Sequence, residues 1–285
     1  MKFLAYFFKF LFKFKPLEKY YFSFYKRLFK PYNLFRGVKT QTIYDRDFKI
    51  EVEVEEWIQQ HIFFFGVYDA PSIKYIKKLL NPDDVFIDIG ANIGTYSISA
   101  TAALDTKQGG MVYAFEPVNS IYNKLTKNIA LNGIENIVTH KLALFEENTT
   151  LDLFVSSSEN LGMSSIFHHD TESGEVEKVA AIKLDDFIKE NNIKRVKLIK
   201  IDIEGAELFA LKGMVETIQK FKPTLLIEIS ENVLEGNGIK SVEIFKFMKD
   251  ISYLPKTIDE TGKLLPMETT SDKKITNFVF VYNEG

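Results

Sequence analysis

The sequence contains no cysteine, which excludes disulfide bonds and thiolate metal sites. A chain without disulfides fits a reducing compartment, so we expect a cytoplasmic location. The first 15 residues also lack a long hydrophobic run, since Phe3–Phe8 is their longest uncharged run and a bilayer span needs about 20 apolar residues. Lys9, Lys13 and Lys15 interrupt this region and no small-residue cleavage site follows, so the pattern does not predict a secretory signal.

Acidic residues are almost absent from the first 36 positions, where Glu18 stands against nine lysines and arginines. The other 27 basic and 38 acidic residues follow Arg36, so a segment of net charge +8 precedes a body of net charge −11. A basic segment of this kind predicts contact with an anionic surface, and we expect membrane-surface contact through residues 1–36. The acidic body does not favour nucleic-acid binding.

The first 14 residues have the periodicity of a helix with phenylalanine on one face and lysine on another. The apolar face comprises Phe3, Phe7, Phe10 and Phe14, widened by Phe8 and Phe12, and the lysines are Lys2, Lys9 and Lys13. This pattern is typical of a helix that lies in a membrane interface. A helix packed on the body or on a partner has the same spacing, so both arrangements stay open.

The length of 285 residues, with 46% hydrophobic and 26% charged residues, predicts one globular domain with an extension. Valine and isoleucine alternate with glutamate between Thr40 and Trp57, which predicts a half-exposed strand. From Pro71 onward apolar strands alternate with helices, which predicts a doubly wound, mostly parallel α/β sheet. We therefore divide the chain into an extension, residues 1–60, and a domain, residues 61–285. The predicted strands of the domain are Val85–Ile89, Met111–Phe115, Ile137–Leu144, Val196–Ile203, Thr224–Ser230 and Asn277–Tyr282.

A loop with two glycines, Gly90 and Gly94, connects the first of these strands to a helix. Ligands of open α/β sheets bind beyond the carboxyl ends of the strands, and glycine lets them approach the backbone. A dinucleotide-binding loop needs glycine at positions 90, 92 and 95, but Asn92 and Thr95 stand at two of them. The carboxylate of Asp88 also disfavours a pyrophosphate. The loop better fits a cofactor that carries a cationic ammonium group.

Glu116 ends the next predicted strand, 22 residues after Gly94. A carboxylate at this place can accept hydrogen bonds from both hydroxyls of a ribose. A cap for the helix that begins near Ser120 is the alternative role.

Charged residues also end the strand Val196–Ile203. Lys200 and Asp202 share one face of that strand, although strands of a parallel sheet are usually apolar on both faces. A buried charge without a partner costs roughly several kcal/mol, so the two groups either pair with each other or serve a ligand. Glu228 ends the following strand and is expected to reach the same crevice.

In order along the chain, these motifs resemble the FkbM-type methyltransferases, a branch of the class I S-adenosylmethionine-dependent enzymes. The resemblance extends over about Phe65 to Tyr282, and the extension has no counterpart in it. The matching segments are Val85–Gly94, Ala114–Pro117, Asn160–Ser165, Leu184–Phe187, Ile199–Glu207 and Ile227–Ile229.

The resemblance implies a seven-stranded sheet whose last strand is antiparallel. It implies that the loop from Asp88 to Gly94 holds the methionine part of S-adenosyl-L-methionine and that Glu116 holds its ribose. The adenine is then expected near Ala143. The reaction implied is O-methylation of a hydroxyl, often on a sugar or a glycan-linked metabolite.

Methyl transfer needs the acceptor oxygen about 3 Å from the methyl carbon and a group that takes its proton. We expect Asp202 or Glu204 to act as this base or to orient the acceptor. Lys200 would lower the pKa of the carboxylate or bind substrate.

Several alternatives stay open. His140, His168 and His169 are other candidate bases, and Asp202 with Glu228 offers oxygens that a divalent cation accepts, although the spacing does not demand a metal. An NAD-dependent oxidoreductase would share the sheet and the ribose carboxylate, and a membrane-attached, non-catalytic binding protein could use the same fold. The sequence gives no indication of the oligomeric state.

Overall fold

Helices and strands alternate in the computed structural model, which describes residues 1–155, 175–267 and 275–284. The strands are β1 (Lys39–Tyr44), β2 (Phe48–Glu53), β3 (Val85–Ile89), β4 (Met111–Phe115), β5 (Ile137–His140), β6 (Ala143–Leu144), β7 (Thr149–Val155), β8 (Glu175–Ile182), β9 (Leu198–Ile201), β10 (Thr224–Ser230), β11 (Tyr253–Ile258), β12 (Leu264–Pro266) and β13 (Ile275–Tyr282). The helices are α1 (Lys2–Phe12), α2 (Lys15–Glu18), α3 (Tyr21–Phe24), α4 (Trp57–Phe65), α5 (Ala70–Leu79), α6 (Thr95–Ala100), α7 (Asn119–Ala130), α8 (Leu184–Glu190), α9 (Glu207–Lys212), α10 (Val215–Phe221), α11 (Glu231–Gly236) and α12 (Ser241–Asp250), with a π-helical turn at Tyr25–Phe29 and a 3-10 turn at Thr106–Gln108.

Eight of the described strands form one sheet in the order β12-β11-β13-β10-β9-β3-β4-β5. Strands β5, β4, β3, β9 and β10 run parallel, as the alternation of helices and strands predicts. Strand β13 lies antiparallel between β10 and β11, which matches the antiparallel last strand that the resemblance implies. The predicted number of seven strands is corrected to eight, because the three-residue β12 pairs with β11 at the edge.

Hydrophobic cores cover both faces of the sheet. Phe86 and Leu198 belong to one core, whereas their neighbours Ile87 and Ile199 belong to the other. All five residues of β3 are buried, as expected for a central parallel strand. The fold is therefore the doubly wound, Rossmann-like α/β architecture that the sequence predicts.

Two predicted strands have different bounds in the structure. The predicted strand Ile137–Leu144 is divided, because β5 belongs to the central sheet and β6 pairs with β8 in a separate sheet of order β6-β8-β7. The strand predicted to reach Ile203 ends at Ile201, since the chain then turns through Glu204 and Gly205, both with positive φ. This turn leaves Asp202 and Glu204 beyond the end of β9.

The N-terminal extension packs on the body through one face of α1. Ala5, Phe8 and Phe12 are buried there, and the Phe12 ring lies 5.1 Å from that of Phe64 in α4. These residues belong to the same hydrophobic core as Phe86 of the central sheet. Helix α1 therefore packs on the body, but not through the phenylalanine face that its sequence emphasises.

The predicted alternating segment forms two antiparallel strands, β1 and β2. The side-chain amide of Asn128 connects this pair to the glycine loop. The Asn128 side chain accepts from the Glu51 backbone N–H at 2.8 Å and donates to the Ile93 carbonyl at 3.0 Å. The division at residue 60 falls inside α4 and stays a prediction. No helix within the described ranges has the length and apolar character to cross a bilayer.

Candidate functional site

A cavity of about 540 Å³ opens at the carboxyl ends of β3, β4, β9 and β10. The predicted residues Gly90, Asn92, Glu116 and Ala143 line it, and Asp202, Glu204 and Glu228 line it as well. Its volume lies in the usual range for small-molecule sites in proteins, about 300–1,000 Å³. Strand ends distant in sequence thus meet around one space, as parallel topology requires.

Gly90 is required where the chain leaves β3. Its φ is +76°, and a Cβ at this position would lie 1.9 Å from the carbonyl oxygen of Asp202. The Gly90 and Ala91 backbone N–H groups donate to the Phe115 carbonyl at 3.0 and 2.9 Å. Gly94, with φ +95°, does not line the cavity and directly precedes α6, and a Cβ there would lie 2.8 Å from the Leu125 side chain. The loop is therefore fixed against both neighbouring strands.

Glu116 connects the end of β4 to the glycine loop. One of its carboxylate oxygens accepts from the Asn92 N–H and the other from the Val118 N–H, each at 3.0 Å. Burial raises the pKa of Glu116 to about 7, although the two backbone donors favour the ionised form. Since Val118 precedes α7, the alternative role as a helix cap is present together with the position on the cavity wall.

Asp88 lies behind the cavity wall, not on it. The side chain is completely buried, and one carboxylate oxygen accepts from the Ser97 hydroxyl at 2.6 Å. The other oxygen is buried without a hydrogen-bond partner. Burial raises the pKa of Asp88, while the nearby Lys200 opposes the shift. Asp88 thus has no exposed surface through which it could make the predicted direct contact with a bound ligand.

Lys200 and Asp202 form the ion pair that the sequence left as one alternative. The Lys200 Nζ lies 2.9 Å from Asp202 Oδ2 and 4.3 Å from the centre of the Tyr96 ring. Lys200 is fully buried and sits beside Asp88, its partner across β3 and β9. Burial alone would lower the pKa of Lys200, but the two carboxylates raise it above its ordinary value. Lys200 is therefore a buried cation behind the wall.

Asp202 and Glu228 share a hydrogen bond on the cavity wall. The charge of Asp202, assisted by burial, raises the pKa of Glu228 to about 10. Burial disfavours ionised Asp202, but Lys200 and the hydrogen bond from Glu228 outweigh it and lower the pKa of Asp202. At neutral pH Glu228 is the protonated donor and Asp202 the ionised acceptor.

Glu204 and Glu207 complete the acidic turn after β9. Glu204 lines the cavity with a φ of +51°. One Glu207 oxygen accepts from the Gly205 N–H at 3.1 Å and from the Ile203 N–H at 3.3 Å, which holds the turn closed. Burial raises the pKa of Glu207 to about 7. The expected carboxylates Asp202 and Glu204 therefore face one space on a fixed turn.

A polar group that includes the strand neighbour of Glu228 was missed by the sequence reasoning. Asp69 accepts from the Tyr96 hydroxyl at 2.7 Å and from the Asn277 amide at 2.8 Å. The Asn277 carbonyl oxygen is buried without a partner, and Asn277 lies opposite Glu228 in the register of β13 and β10. A polar residue within an apolar strand was the available signal. Trp57 and Tyr68 also line the cavity, but no sequence pattern marks them as site residues.

The histidines do not join the site in the described residues. His140 packs in an aromatic cluster, with its ring 5.1 Å from Phe115 and 4.7 Å from Phe187, and burial lowers its pKa. It does not line the cavity. His168 and His169, like the matching segment Asn160–Ser165, lie outside the described residues. Among the residues that are described, no group of three or more His, Asp or Glu is arranged to hold a metal ion.

The segment Leu184–Phe187 has a structural role. Asp185 accepts from the backbone N–H groups of Glu216 and Thr217 at 3.1 and 2.7 Å and from the Thr217 hydroxyl at 2.6 Å. These bonds satisfy donors at the start of α10 that have no partner within the helix. Asp185 thus fixes α8 against α10, away from the cavity.

Comparison with known proteins gives a match to one family. Residues 88–255 match the model of the methyltransferase FkbM domain, which covers more than half of the chain. The match includes the glycine loop, Glu116, the turn after β9 and Glu228.

Two relatives and one solved structure are similar to this chain over most of its length. Methyltransferase 1 of Beauveria bassiana is 27% identical over 204 residues, covering 65% of this chain and 76% of that protein. Hexuronic acid methyltransferase AglP of Haloferax volcanii is 24% identical over 187 residues, covering 66% and 73%. A crystal structure of methyltransferase FkbM from Methylobacillus flagellatus is 18% identical with a TM-score of 0.47, covering 71% of this chain. The chain spans 44% of the length of that structure.

Proposed function

Because this chain belongs to the FkbM methyltransferase family, we propose that it transfers a methyl group from S-adenosylmethionine to a hydroxyl of a sugar or glycan-linked acceptor. The observation that carries the proposal is the hydrogen bond between Glu116 and the Asn92 backbone on the cavity wall. It joins a strand-end carboxylate to a glycine loop beside a cavity large enough for a nucleoside. The relative named as a hexuronic acid methyltransferase supports a sugar acceptor.

The residues on the glycine-loop side fit the nucleoside part of the cofactor. Gly90 has no side chain to fill the space, and each Glu116 oxygen uses one backbone donor, which leaves acceptor capacity for the ribose hydroxyls. In our proposal Glu116 holds the ribose, and Ala143 lies in the part of the wall nearest the adenine. Since Asp88 is covered, Glu204 takes its predicted place facing the cationic end of the ligand, and Asp202 is left for the methyl acceptor.

When bound, S-adenosylmethionine supplies an electrophilic methyl group on a positively charged sulfur. Lys200 keeps Asp202 ionised at neutral pH, and protonated Glu228 orients one of its oxygens. Asp202 then takes the proton of the acceptor hydroxyl, whose oxygen must lie within hydrogen-bond distance of a carboxylate oxygen. Glu204 lies on the same turn and is the second candidate for this role.

The polar group of Asp69, Tyr96 and Asn277 fits an acceptor rich in hydroxyls. All three residues line the cavity, so this group presents polar side chains to such hydroxyls. Trp57 also lines the cavity and offers an aromatic surface to the ligand. Small-molecule sites usually combine such apolar surface with a few polar groups.

Incubation of the purified protein with methyl-labelled S-adenosylmethionine and fractionated glycan extracts tests the proposal. We expect label in a glycan fraction, stable to treatments that cleave methyl esters, with Asp202→Asn greatly reduced. The exposed carboxylate Asp152, paired with Lys178 on β8, provides the control variant Asp152→Asn. Label that stays entirely on the cofactor in every fraction would contradict the proposal, as would label on the protein alone.

A further inference from the structure

Helix α1 carries aromatic side chains on two opposite faces, and the body covers one of them. Phe8 and Phe12 are buried, Phe12 against Phe64 of α4 and Phe8 against Phe29 and Phe35 of the extension. At about 100° per residue, Phe3, Phe7 and Phe10 lie on the other side of the helix. The body therefore leaves a complete helix face uncovered.

The uncovered face is accessible and consists of large aromatic rings. The exposed fractions are 86% for Phe3, 47% for Phe7 and 71% for Phe10, and 64% for Phe14, which follows the end of α1. These four residues are called the aromatic face below. Single exposed apolar residues are ordinary, but a contiguous apolar patch marks an interaction surface. Tyr20, Phe22 and Tyr32 add further exposed rings within the same extension.

Basic side chains accompany the aromatic face, and the structure leaves their charge unbalanced. Glu18 is the one acidic residue of positions 1–36. Within the described part of the chain, no ion pair joins a carboxylate to any of the exposed basic residues of this segment. Those residues are Lys2, Lys13, Lys15, Lys19, Lys26, Arg27, Lys30 and Arg36.

We infer that residues 1–36 dock on an anionic lipid bilayer, with the aromatic face in the interface and the basic side chains at the headgroups. An amphipathic helix binds a bilayer through buried apolar area together with attraction between basic residues and anionic lipids. A second copy of the chain would bring two segments of charge +8 together, and this repulsion disfavours self-association through the same face.

The docked segment would lie beside the cavity. Trp57 lines the cavity, and its ring lies 5.5 Å from that of Tyr21 and 4.4 Å from that of Tyr25. If the proposed methyl transfer holds, the acceptor is reached close to the bilayer. The docking itself does not depend on that activity, and its test measures binding alone.

Flotation of the full-length protein with two kinds of vesicle tests the inference. One is phosphatidylcholine alone and the other phosphatidylcholine mixed with phosphatidylglycerol. We expect binding to the anionic vesicles, weakening with added salt, and at least about tenfold weaker partitioning for the double variant Phe3→Ser, Phe10→Ser. The double variant Lys13→Gln, Lys15→Gln should lose about tenfold on anionic vesicles.

Control variants carry the same changes on the body. Val242 and Leu265, 61% and 41% exposed, are replaced by serine, and the exposed Lys246 and Lys249 by glutamine, with no expected change in flotation. All variants alter exposed side chains, and circular dichroism compares their folding. Equal flotation with both vesicle types, or wild-type flotation of both extension variants, would overturn the inference. It would also be overturned if sedimentation shows an oligomer that Phe3→Ser, Phe10→Ser dissociates while vesicles bind nothing.

Discussion

The cavity has two walls that hold their carboxylates by different means. The first, the glycine-loop wall, consists of Gly90, Asn92 and Glu116, and its carboxylate is held by backbone N–H groups. The second, the charged wall, consists of Asp202, Glu204 and Glu228. The buried cation of Lys200 lies behind these carboxyl groups. Burial acts on both, but the outcome differs, since the pKa of Glu116 rises to about 7 while that of Asp202 falls.

The difference shows which groups keep a buried carboxylate ionised. Neutral backbone donors only partly offset the loss of solvent, so Glu116 changes charge near neutral pH. The positive charge of Lys200, at hydrogen-bond distance from Asp202, more than offsets this loss of solvent. Because Asp202 is then ionised, its negative charge raises the pKa of Glu228, which holds a proton. Glu116 is therefore sensitive to pH near 7, whereas Asp202 stays ionised and Glu228 stays protonated there.

The largest effect is expected from removing the ionised group of the charged wall. Asp202→Asn cannot take a proton, and it leaves Lys200 with the carboxyl groups of Asp88 and Glu228 nearby. We expect the rate of methyl transfer to fall by about 10² or more, with a much smaller change in affinity for S-adenosylhomocysteine. Single-turnover assays and calorimetry separate the two quantities. A rate within twofold of wild type would remove the distinction between the walls.

The glycine-loop wall is broken by adding one methyl group. In Gly90→Ala the new Cβ would meet the Asp202 carbonyl, so we expect a loss of about 3 kcal/mol or more in the free energy of unfolding, together with loss of ligand binding. Gly133→Ala is the matched control, because Gly133 has φ +60° but no atom within 4 Å of its Cβ. It should cost only about 1–2 kcal/mol. Equal denaturation midpoints would show that close packing at Gly90 is unimportant.

Local signals explain what the sequence could predict of these walls. Glycines after an apolar strand, and charges at the ends of buried strands, identify Gly90, Glu116 and Asp202 without any knowledge of distant contacts. In the group around Asp69, a local signal marks only Asn277, a polar residue in an apolar strand, and does not show that it reaches Asp69 across 208 positions. The burial of Asp88 depends on which face of β3 carries α6, which a single strand pattern does not specify.

Helix α1 illustrates another limit. Its phenylalanines lie on nearly every side, so the periodicity predicts a helix but not which face the body covers. In the structure the Phe12 ring packs on Phe64 of α4, and the Phe8 ring packs on Phe29 and Phe35.

The pH response of the glycine-loop wall gives a smaller but specific effect. Ribose hydroxyls donate to ionised Glu116, so affinity for S-adenosylhomocysteine should fall about tenfold from pH 8 to pH 6 as the carboxyl with pKa about 7 takes up a proton. Glu116→Gln should bind weakly at both pH values. Glu207→Gln, which removes the other cavity carboxyl with pKa about 7, should keep the wild-type slope. A wild-type slope in Glu116→Gln would assign the titration to another group.

The same group should affect the stability of the ligand-free protein. Because the pKa of folded Glu116 lies above its unfolded value, the folded state keeps a proton that the unfolded chain loses between about pH 4.5 and 7. Stability therefore falls as pH rises through this window, and Glu116→Gln should make the fall shallower. Thermal melts across the window measure it, and an unchanged pH profile in the variant would contradict this assignment.

The smallest effect is expected at Glu228. A protonated carboxyl and a carboxamide both donate to Asp202, so Glu228→Gln should keep the transfer rate at pH 7 within about threefold of wild type. A loss as large as that of Asp202→Asn would mean that Glu228 is ionised in the working enzyme.

Calorimetric titration of the wild-type protein with S-adenosylhomocysteine and, separately, with NAD tests the central claim most directly. The two walls are expected to bind the sulfur nucleoside at one site per chain and to give no heat with the dinucleotide. Binding of NAD would favour an oxidoreductase, and failure to bind either compound would favour a non-catalytic protein. Either result would contradict a sulfur-nucleoside site between the two walls.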